Sequence, residues 1–589
     1  MEISSIESPA FLKELDVEQL ENLASEIRSF LIGQLSKTGG HLGSNLGVCE
    51  LTIALHKIYN SPEDQLIWDI GHQTYVHKIL TGRSSMFPFL RKKSGMSGFI
   101  HRGESVHDIW EAGHSSTSLS AALGHAIVRD NTGRSGHVIA IIGDGALTGG
   151  MAMEALNHLG DSGRKVTVVL NDNGMSISPN IGALKNFFAD DDLHFRKTFF
   201  EKIGIHYLGP VNGHCISELI DCFQEAKLTD SPVFIHVRTE KGKGWLPAEN
   251  DLLSKGHGVA PYDPYTGEPT TTDITLKDYS QTVADALLDI AETNFFTVIT
   301  PAMIVGSRLV EFGDRYPDRL IDTGIAEQHA VTLAAGMANA GGKVFLPIYS
   351  TFLQRGYDQV VHDVCRQNLN VAFGIDRAGF SGADGDSHHG VFDIAFLRSL
   401  PNMILMMPSC EVECNMMTRF ALEYSEGPIA LRYPRGKVDD WLGVEPIKKL
   451  EIGKWQVLKN GTDAAIITFG PILRKAMNTA ESLAECGLSI MVINARFIKP
   501  LDEALLESLF KQQIPILTLE ESVLAGGFGS SVLEYAADHG YSGSIIRRLG
   551  LDDIFYGIGS DEELRTAAGL TENVIAEQCT RLVLEREHA

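Results

Sequence analysis

The sequence predicts an α/β protein made of three α/β domains with mostly parallel sheets. Short apolar runs alternate with stretches of helical periodicity along most of the chain, as in repeated strand–helix units. The alternation occurs in three blocks, of which the second begins near Asp278 and the third near Lys454. A Pro-, Thr- and Gly-rich stretch at residues 262–273 is the predicted linker between the first two. The length of 589 residues agrees, because it corresponds to about two to four domains.

The composition is that of a globular protein with a large negative charge. Hydrophobic residues make up 44% and charged residues 21% of the chain, and the formal net charge is −25. This charge argues against a nucleic-acid partner and requires a local cationic pocket for any anionic substrate. Eight scattered cysteines favour reduced thiols, and we find neither a signal pattern nor an apolar run of about twenty residues. We therefore expect a cytoplasmic protein with no membrane partner.

Two histidines lie on predicted loops near the start of the first block. Residues 39–47 predict a flexible polar loop between two helices, and a strand at residues 66–70 runs into Gly-His-Gln. His41 and His72 therefore both stand beside glycines on loops. An ordinary solvated role and a functional role are both open for them at this point.

The organising feature of the first block is a pair of polar clusters at strand ends. An apolar run at residues 137–142 ends in Gly-Asp-Gly at 143–145, and a second run at 166–170 ends in Asn-Asp-Asn at 171–173. A helix-like segment separates them, so the order is strand, turn, helix, strand. In a parallel sheet, the carboxyl ends of such strands lie side by side and form the ligand crevice.

The residue types in this crevice predict a magnesium–diphosphate site. Asp144 offers an anionic oxygen and Asn173 a neutral one, which suits Mg²⁺ because it takes its other ligands from phosphates and water. Gly143 and Gly145 allow close backbone approach, and the following helix N-terminus favours an anion. Residues 113–118 resemble another helix N-terminus, either a plain cap or a second anion contact. The alternative is that both strand-end clusters are only tight turns.

The second block adds a candidate acid and a group of polar loops. Its predicted strands lie at residues 298–300, 320–322, 344–348, 371–373 and 404–407. A helix opens after the second strand and places Glu327 in its first turn. A glycine-rich loop after the fourth strand carries Asp384 and His388, and residues 432–435 close the block. The third block has strands at residues 464–468, 490–493 and 516–519 but no ligand-like cluster, so we assign it a packing or dimer role.

A magnesium–diphosphate site in one block and a glutamate at a helix start in the next together indicate thiamine diphosphate. Its diphosphate needs a metal and backbone N–H groups, and its aminopyrimidine N1′ needs a carboxyl group. The chain resembles the family of 1-deoxy-D-xylulose-5-phosphate synthases, in the transketolase-like group, over nearly its whole length. The motifs that carry the resemblance are GDG, NDN, GHQ-x-Y-x-HKILTGR (71–83), IAEQHAV (325–331), YSTFLQR (349–355), DRAG (376–379) and RYPRG (432–436).

The resemblance implies a transketolase-like, thiamine diphosphate-binding fold and a specific reaction. The implied domains are a diphosphate- and Mg²⁺-binding domain at residues 1–270, a pyrimidine-binding domain at 277–440 and a transketolase C-terminal-like domain at 452–589. A homodimer is implied, with the cofactor between domains of one subunit. The implied reaction condenses pyruvate with D-glyceraldehyde 3-phosphate and releases CO₂. Its product, 1-deoxy-D-xylulose 5-phosphate, is a precursor of isoprenoids, thiamine and pyridoxal.

The resemblance also implies roles for individual residues. The expected metal ligands are Asp144, Asn173 and the carbonyl of Met175. The expected cofactor contacts are His72, Gly113, His114, Ser115, Gly145, Ala146, Asn173, Trp245, Glu327 and Phe352. The expected catalytic residues are Glu327 at N1′, with His41, His72, His257 and His388 as proton carriers of ordinary pKa, about 6.5. The expected substrate contacts are Arg102, Tyr349, Arg355, Arg377, Asp384 and Arg435, with Arg377, Arg435 and Tyr349 on the acceptor phosphate.

Four departures from the family pattern accompany this resemblance. The segment after Leu184 is roughly forty residues shorter than is common in the family, the length of a substantial loop. It is either a natural short form or the result of excising a mobile loop. Trp245 stands where the family often has Tyr and keeps an aromatic face and an N–H donor. Val106-His107 replaces Glu-Tyr, and Asp386-Ser387 replaces a more usual Pro-Thr or Gln-Thr. The last two concern acceptor preference more than cofactor binding.

Two alternatives remain beside the synthase. One is a transketolase-like or other acyloin-forming enzyme that uses a different donor or acceptor. The other is a catalytically inactive paralogue that serves as a binding subunit. The presence of Glu327, Asp144, Asn173 and Arg435 together argues against the inactive paralogue.

Overall fold

The computed structural model describes residues 2–190, 192–270, 277–438 and 450–588. These form two compact units, Met1–Thr272 with Thr323–Ala326, and Asp273–Asp322 with Glu327–Ala589. Three sheets of five, seven and five strands confirm the predicted α/β class. The last part of the predicted linker lies outside the described residues. Within the described ranges, no helix is long and apolar enough to cross a membrane.

The first unit is built on a parallel sheet with strand order β1-β2-β3-β5-β4. Its strands are β1 (Gln65–Asp69), β2 (Val138–Gly143), β3 (Thr167–Asp172), β4 (His206–Asn212) and β5 (Val233–Arg238). The predicted strands at 66–70, 137–142 and 166–170 are therefore confirmed within one or two residues. Because β1, β2 and β3 are adjacent and parallel, their polar ends share one edge of the sheet, as predicted.

The helices of the first unit cover both faces of this sheet. They are α1 (Val17–Thr38), α2 (Leu42–Gly47), α3 (Cys49–Ile58), α4 (Tyr75–Lys78), α5 (Ser118–Thr132), α6 (Asp144–Leu147), α7 (Gly150–Ser162), α8 (Ala183–Ala189), α9 (Leu193–Lys202), α10 (Ile216–Leu228) and α11 (Leu246–Asn250). Helix α7 is the crossover between β2 and β3. Helix α5 begins at Ser118, the last residue of the hydroxyl-rich segment 113–118, which confirms the predicted helix N-terminus.

One local prediction in this unit was wrong. Residues 39–47 are not a flexible loop, since 42–47 form the fully buried helix α2. The glycines serve close packing there: a Cβ on Gly43 would lie 2.0 Å from the Lys255 carbonyl oxygen. Residues 184–200, which lack a clear pattern, form α8 and α9. Aromatic stacking organises them, with Phe200 and Phe234 at a ring-centroid distance of 4.2 Å.

The second unit contains the other two sheets. Its strands are β6 (Thr297–Thr300), β7 (Leu320–Asp322), β8 (Val344–Tyr349), β9 (Val371–Asp376), β10 (Ile404–Met406), β11 (Ile429–Arg432), β12 (Gln456–Lys459), β13 (Ala464–Thr468), β14 (Ile490–Asn494), β15 (Phe497–Lys499), β16 (Ile516–Val523) and β17 (Ile546–Leu551). The orders are β15-β10-β11-β9-β8-β6-β7 and β12-β14-β13-β16-β17. Every predicted strand of the second and third blocks is present, and among the strands of the described residues only β15 and β12 pair antiparallel to their neighbours.

The helices of the second unit alternate with these strands. They are α12 (Tyr279–Ala291), α13 (Val310–Arg315), α14 (Glu327–Asn339), α15 (Ser350–Leu353), α16 (Tyr357–Gln359), α17 (Asp393–Arg398), α18 (Glu411–Glu423), α19 (Leu473–Glu485), α20 (Glu503–Lys511), α21 (Phe528–Asp538), α22 (Asp561–Ala567) and α23 (Glu572–His588). Glu327 is the first residue of α14, which confirms its predicted place in a first helical turn.

The second and third blocks are joined more closely than the sequence suggests. Strand β15 comes from the third block in sequence, yet it pairs with β10 and extends the seven-stranded sheet. One hydrophobic cluster also includes residues of both blocks, such as Phe373 and Phe528. Shared core and shared sheet explain why the two blocks form a single compact unit.

Candidate active site

A buried carboxylate at the end of β1 fixes the hydroxyl-rich segment 113–118. The Asp69 oxygens accept the Ser116 N–H at 2.7 Å and the Ser118 N–H at 2.9 Å. The Ser116 hydroxyl then donates to the carbonyl of Ala146 at 2.7 Å. Gly113, His114 and Ser115 are thereby tied to the turn that contains Gly145 and Ala146. Asp69 was not predicted as a site residue, although its position at the end of a predicted strand could have indicated it.

The predicted metal ligand Asp144 is buried at the start of α6, with a relative exposure of 8%. Its carboxylate accepts a hydrogen bond from the Asn180 side-chain amide at 2.7 Å. Burial and the nearby carboxylate of Asp172 raise the pKa of Asp144 well above its usual value. A divalent cation bound at this position would offset the repulsion between the two neighbouring carboxylates.

The segment after β3 forms a compact turn that orients oxygen atoms and a lysine. The Asn173 side-chain oxygen accepts the Met175 N–H at 3.1 Å, and the Asn180 N–H donates to the Gly174 carbonyl at 2.9 Å. The Lys241 ammonium donates to the Ser176 carbonyl at 2.6 Å. Burial lowers the pKa of Lys241 to about 7. Lys241 was missed because a lysine in a Lys-Gly-Lys-Gly stretch normally indicates an exposed loop.

This half of the site fits a magnesium–diphosphate group. Asp144, Asn173 and the Met175 carbonyl are hard oxygen donors, as Mg²⁺ requires. A Cβ on Gly145 would lie 2.8 Å from the Ser176 Cβ, so a larger residue would close this turn. Across the described ranges, no group of three or more His, Cys, Asp or Glu side chains could hold a metal ion.

The structure brings together three of the four predicted catalytic histidines. The ring centroids of His41, His72 and His257 lie 5.2–5.8 Å apart. The His72 Nε2 atom lies 3.1 Å from the Ser44 hydroxyl oxygen. Among the described residues, the buried Nδ1 of His257 has no hydrogen-bond partner, so this nitrogen is available to bond with a polar group of a ligand.

The expectation of ordinary histidine pKa values is wrong for two of these residues. Burial lowers the pKa of His72 to about 3, and it lowers the pKa of His257 well below the usual value. The charge of Lys241 acts in the same direction on both. As neutral imidazoles, His72 and His257 can donate or accept hydrogen bonds, but they carry no positive charge at neutral pH.

Trp245 is held within the hydrophobic core of the first unit. Its ring packs against Tyr262 at a centroid distance of 4.7 Å, and its indole N–H donates to the Pro264 carbonyl at 2.8 Å. The N–H donor that we expected to serve the cofactor is therefore engaged within the protein. Packing alone explains a large aromatic residue at this position.

Arg102 lies on an exposed turn of the segment between α4 and α5. Its backbone N–H donates to Glu111 at 2.8 Å, which shapes this turn. The departure at residues 106–107 has a structural consequence: Val106 is 75% exposed, and the His107 ring nitrogen lies 3.0 Å from the Ser61 hydroxyl. His107 thus fastens the segment to the loop before β1.

In the second unit, Glu327 is buried, with a relative exposure of 4%. Burial raises its pKa, whereas Arg355, whose Nη1 lies 3.8 Å from the Glu327 Oε2, opposes this shift. A buried carboxyl group of raised pKa at a helix N-terminus can exchange a proton with a ring nitrogen more readily than an exposed glutamate can. Arg355, predicted as a substrate residue, lies directly beside this acid.

An aromatic stack connects three predicted residues of the second unit. The rings of Tyr349 and Phe352 stack at a centroid distance of 5.3 Å, and His388 meets Phe352 edge-on at 5.7 Å. The guanidinium of Arg377 lies over the Tyr349 ring, with Cζ 4.5 Å from its centroid. The structure therefore gathers these four side chains into one cluster after β8 and β9.

The two predicted phosphate-binding arginines differ in their hydrogen bonds within the protein and in their exposure. Arg377 donates to Asp376 at 2.8 Å, to the Ser280 hydroxyl at 2.7 Å and to the Gly306 carbonyl at 3.1 Å. Arg435 donates to Asp384 at 2.6 Å, and its side chain is 44% exposed. Arg377 therefore supports Tyr349, whereas Arg435 can reorient toward an anion by exchanging its carboxylate partner.

Comparison with known proteins gives a consistent result along the chain. The model of 1-deoxy-D-xylulose-5-phosphate synthase matches residues 3–194 and 189–239, the pyrimidine-binding domain of transketolase matches 274–439, and the transketolase C-terminal domain matches 453–575. The relatives include synthases of that name from Geobacillus sp. strain WCH70 and Bacillus cereus strain AH187. They are 51% and 49% identical over the full length of both chains.

Two further details come from the same comparisons. The first model matches in two pieces that meet at residues 189–194, and the alignments run over 630 positions against 589 residues. This agrees with a chain that is shorter than its relatives near α8 and α9. A solved transketolase from Campylobacter jejuni aligns over 96% of this chain and 100% of that chain at 17% identity, with a TM-score of 0.46, too low to bear on the fold.

Proposed function

The chain belongs to the 1-deoxy-D-xylulose-5-phosphate synthase family, and from this premise we propose how its residues carry out the reaction. The enzyme is a transketolase-type transferase. It condenses pyruvate with D-glyceraldehyde 3-phosphate, with release of CO₂, to give 1-deoxy-D-xylulose 5-phosphate. The observation that best supports the assignment of roles is the buried Glu327 at the start of α14, with the Arg355 guanidinium 3.8 Å from its carboxyl group.

Residues of the first unit are proposed to hold the diphosphate end of thiamine diphosphate. Asp144, Asn173 and the Met175 carbonyl bind Mg²⁺, and the 113–115 segment with Gly145 and Ala146 supplies backbone N–H groups to the phosphates. To these we add Lys241, whose buried ammonium is suited to a phosphate oxygen. The bound coenzyme supplies the electron sink that permits loss of CO₂ from pyruvate.

Residues of the second unit are proposed to bind and activate the pyrimidine end. Phe352 stacks on the ring, and the Glu327 carboxyl holds the proton at N1′. Because burial raises the pKa of this carboxyl, it gives and takes that proton more readily than an exposed glutamate. The charge of Arg355 opposes the shift and so favours the ionised carboxylate.

The remaining polar side chains are proposed to bind the substrates. His41, His72 and His257 are hydrogen-bonding groups around the reacting centre, and His388 is a proton carrier. Arg435 is the main cation for the acceptor phosphate, with Tyr349 and Arg377 beside it. Arg102, Arg355 and Asp384 complete the predicted substrate contacts.

The reaction is tested by turnover with defined substrates. With thiamine diphosphate and Mg²⁺, pyruvate and D-glyceraldehyde 3-phosphate should be consumed in equal amounts, with one CO₂ released per ketose phosphate formed. Omission of thiamine diphosphate should stop the reaction. A ketose phosphate donor that replaces pyruvate should give no product. Transfer from that donor without CO₂ would instead establish the transketolase-like alternative, and no turnover at all would favour the inactive paralogue.

Replacing Arg435 by alanine should weaken binding of the acceptor selectively. We expect the KM for D-glyceraldehyde 3-phosphate to rise by about 10–100-fold, the usual cost of losing a charge-assisted contact, with little change for pyruvate. Steady-state kinetics with each substrate varied in turn measures both constants. The control is Arg315→Ala, which removes an exposed arginine paired with Glu311 in the same unit. Equal increases for both substrates would place the phosphate site elsewhere.

We further propose that the enzyme is a cytoplasmic homodimer. The eight cysteines are all unpaired, which supports a reducing compartment. The homodimer follows from the family. Sedimentation at several protein concentrations would measure the oligomeric state directly.

A further inference from the structure

The glycine-rich loop at residues 379–390, here called the acceptor loop, carries Asp384 and His388. It leaves β9 after Asp376 and runs to α17. Asp384 forms the ion pair with Arg435, and His388 meets Phe352 edge-on. The position of this loop therefore controls the geometry of the proposed acceptor-binding residues.

The start of the acceptor loop is held by a carboxylate from the third block. Glu521 in β16 accepts the Phe380 N–H through its Oε1 at 2.9 Å. Gly379 has φ +83°, and a Cβ at this position would lie 2.4 Å from the same oxygen. Only glycine permits both this backbone conformation and this close approach.

Glu521 is itself held in place by a cation. Arg565 of α22 donates through Nε to its Oε2 at 2.6 Å, and the Arg565 and Glu521 side chains are only 22% and 12% exposed. A half-buried pair of this kind fixes the carboxylate more firmly than an exposed ion pair. The chain of contacts therefore runs from α22 through Glu521 to the backbone of the acceptor loop.

A second contact from the third block holds the middle of the same loop. The Ser381 N–H donates to the His389 Nδ1 at 3.0 Å, and the His389 Nε2 lies 3.0 Å from the Gly557 carbonyl oxygen. Because Nδ1 accepts a hydrogen bond, Nε2 carries the proton and donates to Gly557. His389 thus connects Ser381 of the acceptor loop to Gly557 of the third block, and we assign it no proton-transfer role like that of His388.

A charged residue of the third block, Asp561, also interacts electrostatically with Arg435 and Asp384. Asp561, the first residue of α22, faces Gly382, where an added Cβ would lie 2.9 Å from its Oδ1. Burial raises the pKa of Asp561, and Arg565 and Arg435 oppose this shift. Several charged side chains therefore contact the backbone of the acceptor loop: Glu521 accepts the Phe380 N–H, Arg435 donates to the Ser381 carbonyl at 3.3 Å, and Arg432 donates to the Gly390 carbonyl at 3.1 Å.

From these contacts we propose that Glu521, fixed by Arg565, is a positioning residue for the acceptor aldehyde phosphate. This inference rests on the proposed function. It gives the third block a role in substrate affinity, beyond the packing or dimer role that its sequence indicates. Glu521 touches no reacting atom, and it acts by holding the loop so that Asp384 and Arg435 keep their geometry.

The test is a kinetic comparison of Glu521 variants. Glu521→Ala removes both the acceptor for Phe380 and the partner of Arg565, and should raise the acceptor KM about tenfold, as for a lost charge-assisted bond. The pyruvate KM should stay within about twofold of wild type, because the pyruvate contacts are untouched. Glu521→Gln keeps an oxygen for the Phe380 N–H and should show a smaller increase.

The matched control is Glu562→Gln, the neighbour of Asp561 on α22. Glu562 pairs at 2.8 Å with Lys475, and its side chain is 62% exposed. Its loss should change neither KM. If Glu521→Ala does not fold, Arg565→Met takes its place, since it leaves Glu521 without its cation and should also raise the acceptor KM selectively.

The outcomes separate this inference from the proposed function. Failure of the wild-type enzyme to make product from pyruvate and D-glyceraldehyde 3-phosphate would overturn the proposed function. Normal wild-type turnover with an unchanged acceptor KM in the Glu521 variants would overturn only the positioning role. Equal rises in both KM values, together with a lower Tm, would show general destabilisation and would overturn it as well.

Discussion

Replacing Glu327 by alanine or glutamine should lower kcat by about 10²–10⁴-fold, the usual contribution of a positioned acid–base group. The carboxyl is buried, and no proton can be held at the pyrimidine N1′ once it is removed. Because the group acts on the coenzyme, the rate should fall at saturating concentrations of both substrates. Stopped-flow or steady-state assays with saturating thiamine diphosphate measure this loss.

The glutamine substitution should not destabilise the fold. Burial raises the pKa of Glu327 above its value in the unfolded chain, so its ionised form costs stability as the pH rises above the unfolded value. At neutral pH, a neutral glutamine avoids this cost. The Tm of Glu327→Gln should therefore equal or exceed that of the wild type, as is common where a site trades stability for activity.

The control for Glu327 is His329→Ala, an exposed position in the same helical turn. It should leave kcat and Tm unchanged. A Glu327→Gln enzyme with a near-normal rate would remove the proposed activation of the coenzyme. A strongly lowered Tm would contradict the view that the buried carboxyl is kept for chemistry.

Replacing Asp144 by asparagine should abolish coenzyme-dependent stabilisation. In the wild type, thiamine diphosphate and Mg²⁺ at a hundred times their Kd should stabilise the fold by about 2.7 kcal/mol. The variant loses the only anionic ligand of the proposed metal set, so its Tm should not respond to the same addition. Without ligands, its Tm should be at least that of the wild type, because one of two neighbouring buried carboxylates has been neutralised. Thermal unfolding with and without the coenzyme gives all four values.

Asp161→Asn is the matched control, since Asp161 is exposed near the end of the crossover helix α7. Its Tm should respond to coenzyme and Mg²⁺ as the wild type does. A full response in the Asp144 variant would move the metal away from the β2 and β3 strand ends.

The positions of the strands and the grouping of their polar ends could be predicted from the sequence. Apolar runs in parallel sheets are short and nearly continuous, so β1, β2 and β3 were recognisable, and their adjacency follows from the crossover rule. The first-turn position of Glu327 could also be predicted, because a strand end, a glycine and a helical pattern follow each other closely. These features depend on local sequence.

Features that depend on tertiary contacts could not be predicted in the same way. Helix α2 lies in a glycine-rich segment whose local preference is for a loop, and only packing against other backbone makes it a helix. Strand β15 joins a sheet built from residues much earlier in the chain, and no local pattern indicates this partner.

Some site residues were not predicted from the sequence for the same physical reason. Asp69 and Lys241 are functional candidates because they are buried, and burial is a property of the fold. The lowered pKa values of His72 and His257 also come from desolvation, which the sequence does not display. The role of Glu521 depends on a glycine and a carboxylate that are distant in sequence but meet in space.

The most direct test of the central claim is a crystal structure of the enzyme with thiamine diphosphate and Mg²⁺. We predict a Glu327 carboxyl oxygen at hydrogen-bonding distance, about 2.6–3.2 Å, from the pyrimidine N1′. A bound coenzyme whose N1′ meets some other side chain, with the Glu327 carboxyl out of reach, would contradict the account.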